Sequence, residues 1–425
     1  MFNDFVKKYR LPCALILVFC MLIACFTACT SQKPEEPTDG NAFPIEKIAD
    51  NLYETTFTDD LDWSDTAAPA LTGFSCSAVQ NGQYRGRNYD WTYADSDLCI
   101  VHVTATENRP HASVGVADMS FIRNEDGSYR YEKLPLVTVD GINDSGVCVQ
   151  VNVMPYGENG EISHTETTED DLHGTSVVRY ILDFADTVEE AMSLLKEKDI
   201  HSEMGTAEEL HWMISGPASE TDRTTKTVVI EAFPDGLHIT EEFVDDKPIM
   251  TNFNVSNFNG TPESVGIGFG YERWQILNEN FDQASSVMGT FDLMEKVFFT
   301  KLYDYYGERF WYSEYNGTDL TRYYDDQTLQ KLLGKEAYDA GMEKYGGIYY
   351  TAALWDGERA LHGDISKVGI ISPVIEKVKE IYNAQNEEDG SLWITIHTSV
   401  YDLENLTLDI QVRESQDHLH FTIEK

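Results

Sequence analysis

Apolar residues along this chain fall into short strand-length runs, interrupted by two stretches with a helical period. Runs at Ile100–Thr104, Ala112–Ala117, Leu134–Val139 and Val147–Val153 are separated by polar or glycine-containing breaks and predict strands. The period then changes. Val177, Tyr180, Ile181, Phe184, Val188, Ala191, Leu194 and Leu195 trace helical stripes with a kink near Asp186-Thr187, and Thr187 followed by Glu190 forms a capping box for the second helix. Strands resume at His211–Ser215, Thr227–Phe233 and Leu237–Phe243. Helices return at Ser285–Leu302 and Ser372–Ala384, the latter with Pro373 in its first turn. Leu392–Tyr401, Leu406–Val412 and His418–Ile423 close the chain as strands. Two strand-rich blocks separated by helices suit two packed sheets covered by helical layers.

One hairpin carries the chemistry. Asn81-Gly82 is a strong turn signal, flanked by Ser77-Ala78-Val79 and by Tyr84. A tight hairpin there brings Arg87 and Asp90 back beside Cys76. The Arg is expected to favour the thiolate, and the Asp to hold an ammonium group. Against this stand a buried core cysteine and an exposed Arg–Asp ion pair worth roughly 0–1 kcal/mol. Residues three apart on a strand point to opposite faces, so joint action of Arg87 and Asp90 calls for a bend or bulge.

Composition narrows the setting. An apolar share of 42% supports a large core, and a net charge of −42 argues against nucleic acid as a partner. The first thirty residues read as a leader: Lys7, Lys8 and Arg10 precede the apolar Leu11–Ala24. Leu22-Ile23-Ala24-Cys25 and Phe26-Thr27-Ala28-Cys29 are alternative lipoprotein cleavage boxes, and the polar residues after Cys29 favour that one. An ordinary signal peptide or an uncleaved anchor is the competing reading. Residues 1–29 are thus a lipoprotein signal peptide and 30–44 a disordered tether. Residues 45–75, which show no strong period, are a pro-segment or small subunit, and 76–425 the main domain. Four of the seven cysteines lie in the leader, leaving Cys76, Cys99 and Cys148, too few for a disulfide framework. Cys99 and Cys148 sit in apolar runs and read as buried hydrophobes. Gly266–Gly270 reads as a flexible loop, and His418 with His420 lacks a third ligand for a metal.

Cys76 followed by Gly86-Arg87-Asn88-Tyr89-Asp90 resembles the choloylglycine hydrolases and their relatives, the penicillin V acylases and acid ceramidase-like amidases. Further segments carry the likeness: Val139–Val147, Gly174–Asp183, Pro248–Asn252, Tyr271-Glu272-Arg273 and Thr398–Asp402. The resemblance implies an α+β fold, the four-layer αββα sandwich of the N-terminal-nucleophile hydrolases, and hydrolysis of linear, non-peptide amides without cofactor or metal. It implies cleavage between Ser75 and Cys76, so that the new α-amine of Cys76 serves as base and Asp90 orients it. It makes Asn252 an oxyanion donor and Arg273 a second positive charge. A turn-forming Asn and a surface helix Arg are the plain alternatives. The second oxyanion position falls on the backbone near Val153, with Asn152 in the site only if its strand is bulged. With the leader, this makes an extracytoplasmic, lipid-anchored amidase acting on a small-molecule amide. An N-acyltransferase of the same superfamily and a non-catalytic ligand-binding lipoprotein remain as rivals.

Overall fold

The computed structural model of the chain describes residues 44–63, 74–91, 97–124, 127–155, 171–201, 208–233, 236–261, 264–265, 268–298, 394–413 and 417–423. Cys25, Cys29, residues 30–43 of the tether and the helix expected at Ser372–Ala384 lie outside the described residues.

In chain order the strands are β1 (Ile45–Ala49), β2 (Leu52–Phe57), β3 (Phe74–Asn81), β4 (Tyr84–Trp91), β5 (Leu98–Val103), β6 (Ser113–Asp118), β7 (Thr138–Asn143) and β8 (Cys148–Pro155). They continue as β9 (Asp171–His173), β10 (Asp199–His201), β11 (Glu208–Pro217), β12 (Thr225–Phe233), β13 (Gly236–Thr240), β14 (Ile249–Met250), β15 (Asn252–Phe253) and β16 (Gly268–Phe269). The last are β17 (Ile394–Asp402), β18 (Thr407–Val412) and β19 (Leu419–Thr422). A nine-stranded sheet runs β1-β2-β5-β6-β7-β8-β11-β12-β13, and a six-stranded sheet runs β14-β3-β4-β17-β18-β19. The short pairs β9–β10 and β15–β16 stand apart.

Helices cover both outer faces. Val177–Phe184 and Val188–Lys196 pack on β7, β8, β11 and β12, whereas Tyr271–Glu279 and Val287–Glu295 pack on β3, β4, β14 and β17. The sheets face each other through groups such as Arg85, which donates to the carbonyls of Cys148 and Met213, and through Ala78 against Met213 and Val229. The order is helix, sheet, sheet, helix, the four layers expected.

The kink near Asp186 separates two helices. Thr187 Oγ1 accepts the Glu190 N–H at 3.1 Å, while the Glu190 carboxylate returns to the Asp186 N–H at 2.9 Å, one residue earlier than a standard box. Asn143 explains much of the Val139–Val147 segment as scaffold. Its Nδ2 donates to the carbonyls of Leu182 and Ala185 at the end of a helix, and its Oδ1 accepts the N–H groups of Ser145 and Val147.

Three expectations are corrected. Leu134–Val137 belongs to a 3-10 helix, Tyr131–Val137, with the strand starting only at Thr138. Pro135 has no N–H for a ladder, and its carbonyl instead accepts the Thr138 hydroxyl at 2.7 Å. The strand placed over Leu237–Phe243 stops at Thr240, ahead of two consecutive left-handed residues, Asp245 and Asp246. Residues 45–57, read as aperiodic, form β1 and β2, and β2 runs parallel to β5 with Leu52 and Phe57 in the core. These strands are short, and β1 lies at the sheet edge with Glu46 and Lys47 exposed, so few residues carry a period.

Candidate active site

The β3–β4 hairpin closes at the Asn81-Gly82 signal, with Gly82 and Gln83 as its two-residue loop. Asn81 pairs with Tyr84, and Gly82 sits first in the loop at φ 55°, where a Cβ is disfavoured. Regular pairing from the turn puts Cys76 opposite Tyr89 and Ser75 opposite Asp90. Alternation then decides which side chains meet. Arg85, Arg87 and Tyr89 reach into the space between the sheets: Arg87 to Val151 O at 2.7 Å, and Tyr89 to Asp118 at 2.9 Å. Asn88 points the other way, donating to Met294 O at 2.9 Å. Cys76 shares the inter-sheet face, with Arg87 Nη2 3.5 Å from its Sγ.

Arg87 and Asp90 therefore follow strand parity, and β4 needs no bend. The irregularity falls on the neighbouring strand, between Thr395 and His397 of β17. Asp90 reaches Cys76 through the backbone, its N–H hydrogen-bonding the thiol. Its carboxylate accepts the Thr395 hydroxyl at 2.6 Å. The exposed ion pair is excluded, since Cys76, Arg87 and Asp90 are all fully buried.

Arg87 favours the thiolate as expected, but in the continuous chain burial weighs more. Burial pushes the Cys76 thiol up to about 11, although Arg87 and the Asp90 N–H favour the anion. Desolvation outweighs one cation whose charge is already shared with Asp140. A neutral thiol at physiological pH needs a base to attack.

Asn252 arrives by register. Ile249 pairs with Val79 and Met250 with Ala78, so two further residues bring Asn252 level with Cys76. Its Oδ1 accepts the Cys76 N–H at 2.9 Å and Arg273 Nη2 at 2.8 Å, and its Nδ2 donates to Val153 O at 2.7 Å. This network fixes the amide orientation, because two donors meet the oxygen and one acceptor meets the nitrogen. In the continuous chain Asn252 thus holds the nitrogen of Cys76; the expected oxyanion-donor role is not what its hydrogen bonds here describe.

Arg273 is no surface residue. It is fully buried in the first turn of Tyr271–Glu279, an unfavourable place for a cation by helix dipole alone. Acceptors compensate: Cys76 O at 2.6 Å, Ser77 Oγ at 3.0 Å and Asn252. The supposed flexible loop places it there. Gly268–Phe269 pairs with Asn252–Phe253, and Gly270, at φ 101°, starts the helix. A Cβ at Gly270 would lie 2.7 Å from both Arg273 Nη2 and Thr251 Oγ1. Gly270→Ala should therefore displace Arg273 and Thr251 and carry a backbone penalty of about 1–3 kcal/mol. Activity is expected to fall at least about tenfold by that displacement. Melting temperature and amide turnover, measured together, check this, and an unchanged rate would show that Arg273 needs no such close approach.

Asn152 reaches the site's border without a bulge. The β8–β11 register is unbroken, yet Asn152 Nδ2 donates to Thr251 O at 3.2 Å, next to Asn252. It shares its face with Cys148 and Gln150, whereas Val151 and Val153 contribute backbone carbonyls to Arg87 and Asn252.

Sequence reasoning passed over the group that backs Arg87. Asp140 accepts from Arg87, from the Tyr401 hydroxyl and from His397 at 3.1 Å. Burial alone would raise its carboxyl, but Arg87 and His397 hold it well below the usual carboxylate range. Asp140 lay in a segment noted only for its likeness, and the closing strand offered Thr395 and His397 two apart as a faint signal. Cys99 and Cys148 are buried as expected, with Cys148 pushed up to about 12 by burial. His418 stacks on Phe291 and His420 pairs with Asp409, so they serve separate contacts.

Comparison with known proteins gives the family. No curated protein matches the chain. Among solved structures it is similar to a mutant of the conjugated bile acid hydrolase from Clostridium perfringens, at 16% identity over 82% of this chain and 92% of that one, with a TM-score of 0.38. It is also similar to the penicillin V acylase from Agrobacterium tumefaciens, at 14% identity over 82% of this chain and 86% of that one, with a TM-score of 0.36. Similarities this remote carry no argument. Residues 72–294, more than half of the chain, match the family of linear amide C–N hydrolases. That span runs from just before Cys76 through Asn252 and Arg273, and the chain belongs to the choloylglycine hydrolase family of linear amide C–N hydrolases.

Proposed function

We propose that this hydrolase is a lipid-anchored, extracytoplasmic amidase whose nucleophile is Cys76, freed as an N-terminus by cleavage of the Ser75–Cys76 bond. The observation that carries the reading is that nitrogen, carbonyl and thiol of one residue are each separately held: N–H by Asn252, carbonyl by Arg273, Sγ near Arg87. A packed core cysteine has no use for such a socket. In the cut protein the α-amine takes the thiol proton, and Sγ attacks the amide carbonyl. Collapse of the tetrahedral intermediate returns that proton to the departing amine. Water, deprotonated by the same amine, then hydrolyses the thioester to the acid. Asn252 Oδ1 holds the amine, and Asp90 supplies the negative charge that orients it. Anchoring rests on the leader, where Cys29 is preferred over Cys25.

Cleavage should leave the segment before Cys76 in place. Strand β2 remains hydrogen-bonded to β5 and β1 to β2, and Arg109 donates to Asp59 O at 2.9 Å. The expected result is two pieces on a denaturing gel, the larger starting at Cys76, that co-elute under native conditions. Intact-mass and N-terminal sequence measurements decide it: an active preparation with Ser75–Cys76 intact would sink the free-amine mechanism. Turnover of conjugated bile salts, penicillin V and N-acyl amino acids, with and without added amines, separates hydrolysis from acyl transfer.

A further inference from the structure

Three neighbouring strands of the nine-stranded sheet present one polar residue each at a single level. His211 on β11 pairs in register with Asn152 on β8 and with Glu231 on β12. All three are fully buried. They converge on the segment 251–256, which belongs to neither large sheet and carries Asn252. His211 Nε2 donates to Thr251 O at 2.9 Å, and Asn152 Nδ2 donates to the same oxygen at 3.2 Å. The Glu231 carboxylate accepts the N–H groups of Val255 at 2.7 Å and Ser256 at 3.0 Å. His211 Nδ1 lies 3.5 Å from Glu231 Oε1 without a hydrogen bond, so the three side chains are joined through the segment they hold.

We infer that Asn152, His211 and Glu231 are positioning residues that clamp the two ends of this segment and thereby set Asn252 against the Cys76 nitrogen. The inference rests on Asn252 belonging to the active site, as proposed above. The physical reason is that, among the described residues, β15 pairs with Gly268 and Phe269 alone, too short a ladder to hold a side chain in place by itself. Thr251 is the residue immediately before Asn252, and its carbonyl, which can only accept, fixes the proton of His211 on Nε2. A shift of the Thr251 peptide moves Asn252 directly. Side chains of this kind lock a reacting constellation through partners that never touch the substrate.

The test uses the full chain and whichever amide of the panel above is turned over fastest. His211→Leu removes the donor while keeping bulk, and His211→Gln retains an N–H donor of similar reach. The expected result is a fall in kcat of about tenfold or more for His211→Leu with KM nearly unchanged, and substantial recovery in His211→Gln. In Glu231→Gln, hydrogen exchange of the Val255 and Ser256 amides should quicken while that of β11 and β12 stays put. Wild-type kcat in His211→Leu, equal losses in the Leu and Gln variants, or unchanged exchange at Val255 and Ser256 in Glu231→Gln would overturn the clamp. Wild-type turnover by Asn252→Ala would instead remove Asn252 from the site and sink the reading on which the clamp depends. If both hold, His211→Leu adds little to Asn252→Ala, because the two act through one group.

Discussion

Cys76→Ser leaves a folded protein whose amidase activity is down by about 10³-fold or more, while Cys99→Ser and Cys148→Ser keep theirs. All three thiols are buried, so burial does not distinguish them. Their partners do. Cys148 Sγ faces Arg85, 3.9 Å away, and Cys99 Sγ reaches only the Ile100 carbonyl. Cys76 alone has Arg87, the Asp90 N–H and a prospective amine around it. Because burial holds its thiol near 11 in the continuous chain, alkylation by iodoacetamide should be slow before cleavage. Once the amine is free to take the proton, labelling of Cys76 should track loss of activity. Serine at this position still has a hydroxyl able to attack the preceding carbonyl, so turnover is the readout to trust over processing. Full activity in Cys76→Ser would place the nucleophile elsewhere.

Asp90→Asn should cut kcat by about 10²–10⁴-fold, the range of a general acid–base contribution, with the fold intact. The substitution is nearly isosteric, and an Asn oxygen can still accept from Thr395, which donates to Asp90 at 2.6 Å. The backbone N–H at position 90 would go on meeting the thiol. What disappears is one buried negative charge at the level of the Ser75–Cys76 bond, opposite which Asp90 pairs. That charge is the counter-ion for an ammonium at residue 76 and steadies it as proton carrier. Cleavage and turnover should both slow, and a variant that matches wild type in both would reassign Asp90 to a purely structural role.

Much of this molecule was legible in one dimension. Asn81-Gly82 marked a tight hairpin, and a tight hairpin returns Arg87 and Asp90 to the neighbourhood of Cys76; the loop formed is Gly82-Gln83, which sets Cys76 opposite Tyr89. Thr187 and Glu190 marked a helix start, and the apolar runs of β11 and β12 marked two strands. Local chemistry sufficed there, since each signal acts within a few residues.

Tertiary structure decided the rest. The sequence favoured a thiolate at Cys76 because it shows a nearby Arg but not the desolvation that outweighs it. It made a loop of Gly266–Gly270, whereas the partner that turns Gly268–Phe269 into a strand lies at Asn252–Phe253. Strands β1 and β2 are five and six residues long, too short to show a period alone, and the partner of β2, β5, lies across an intervening hairpin. Asp140, His397 and Tyr401 became one cluster only when two sheets closed on each other. Residue types set what each position can do chemically. Burial and long-range register, which sum contributions from the whole chain, set which of those capacities meet.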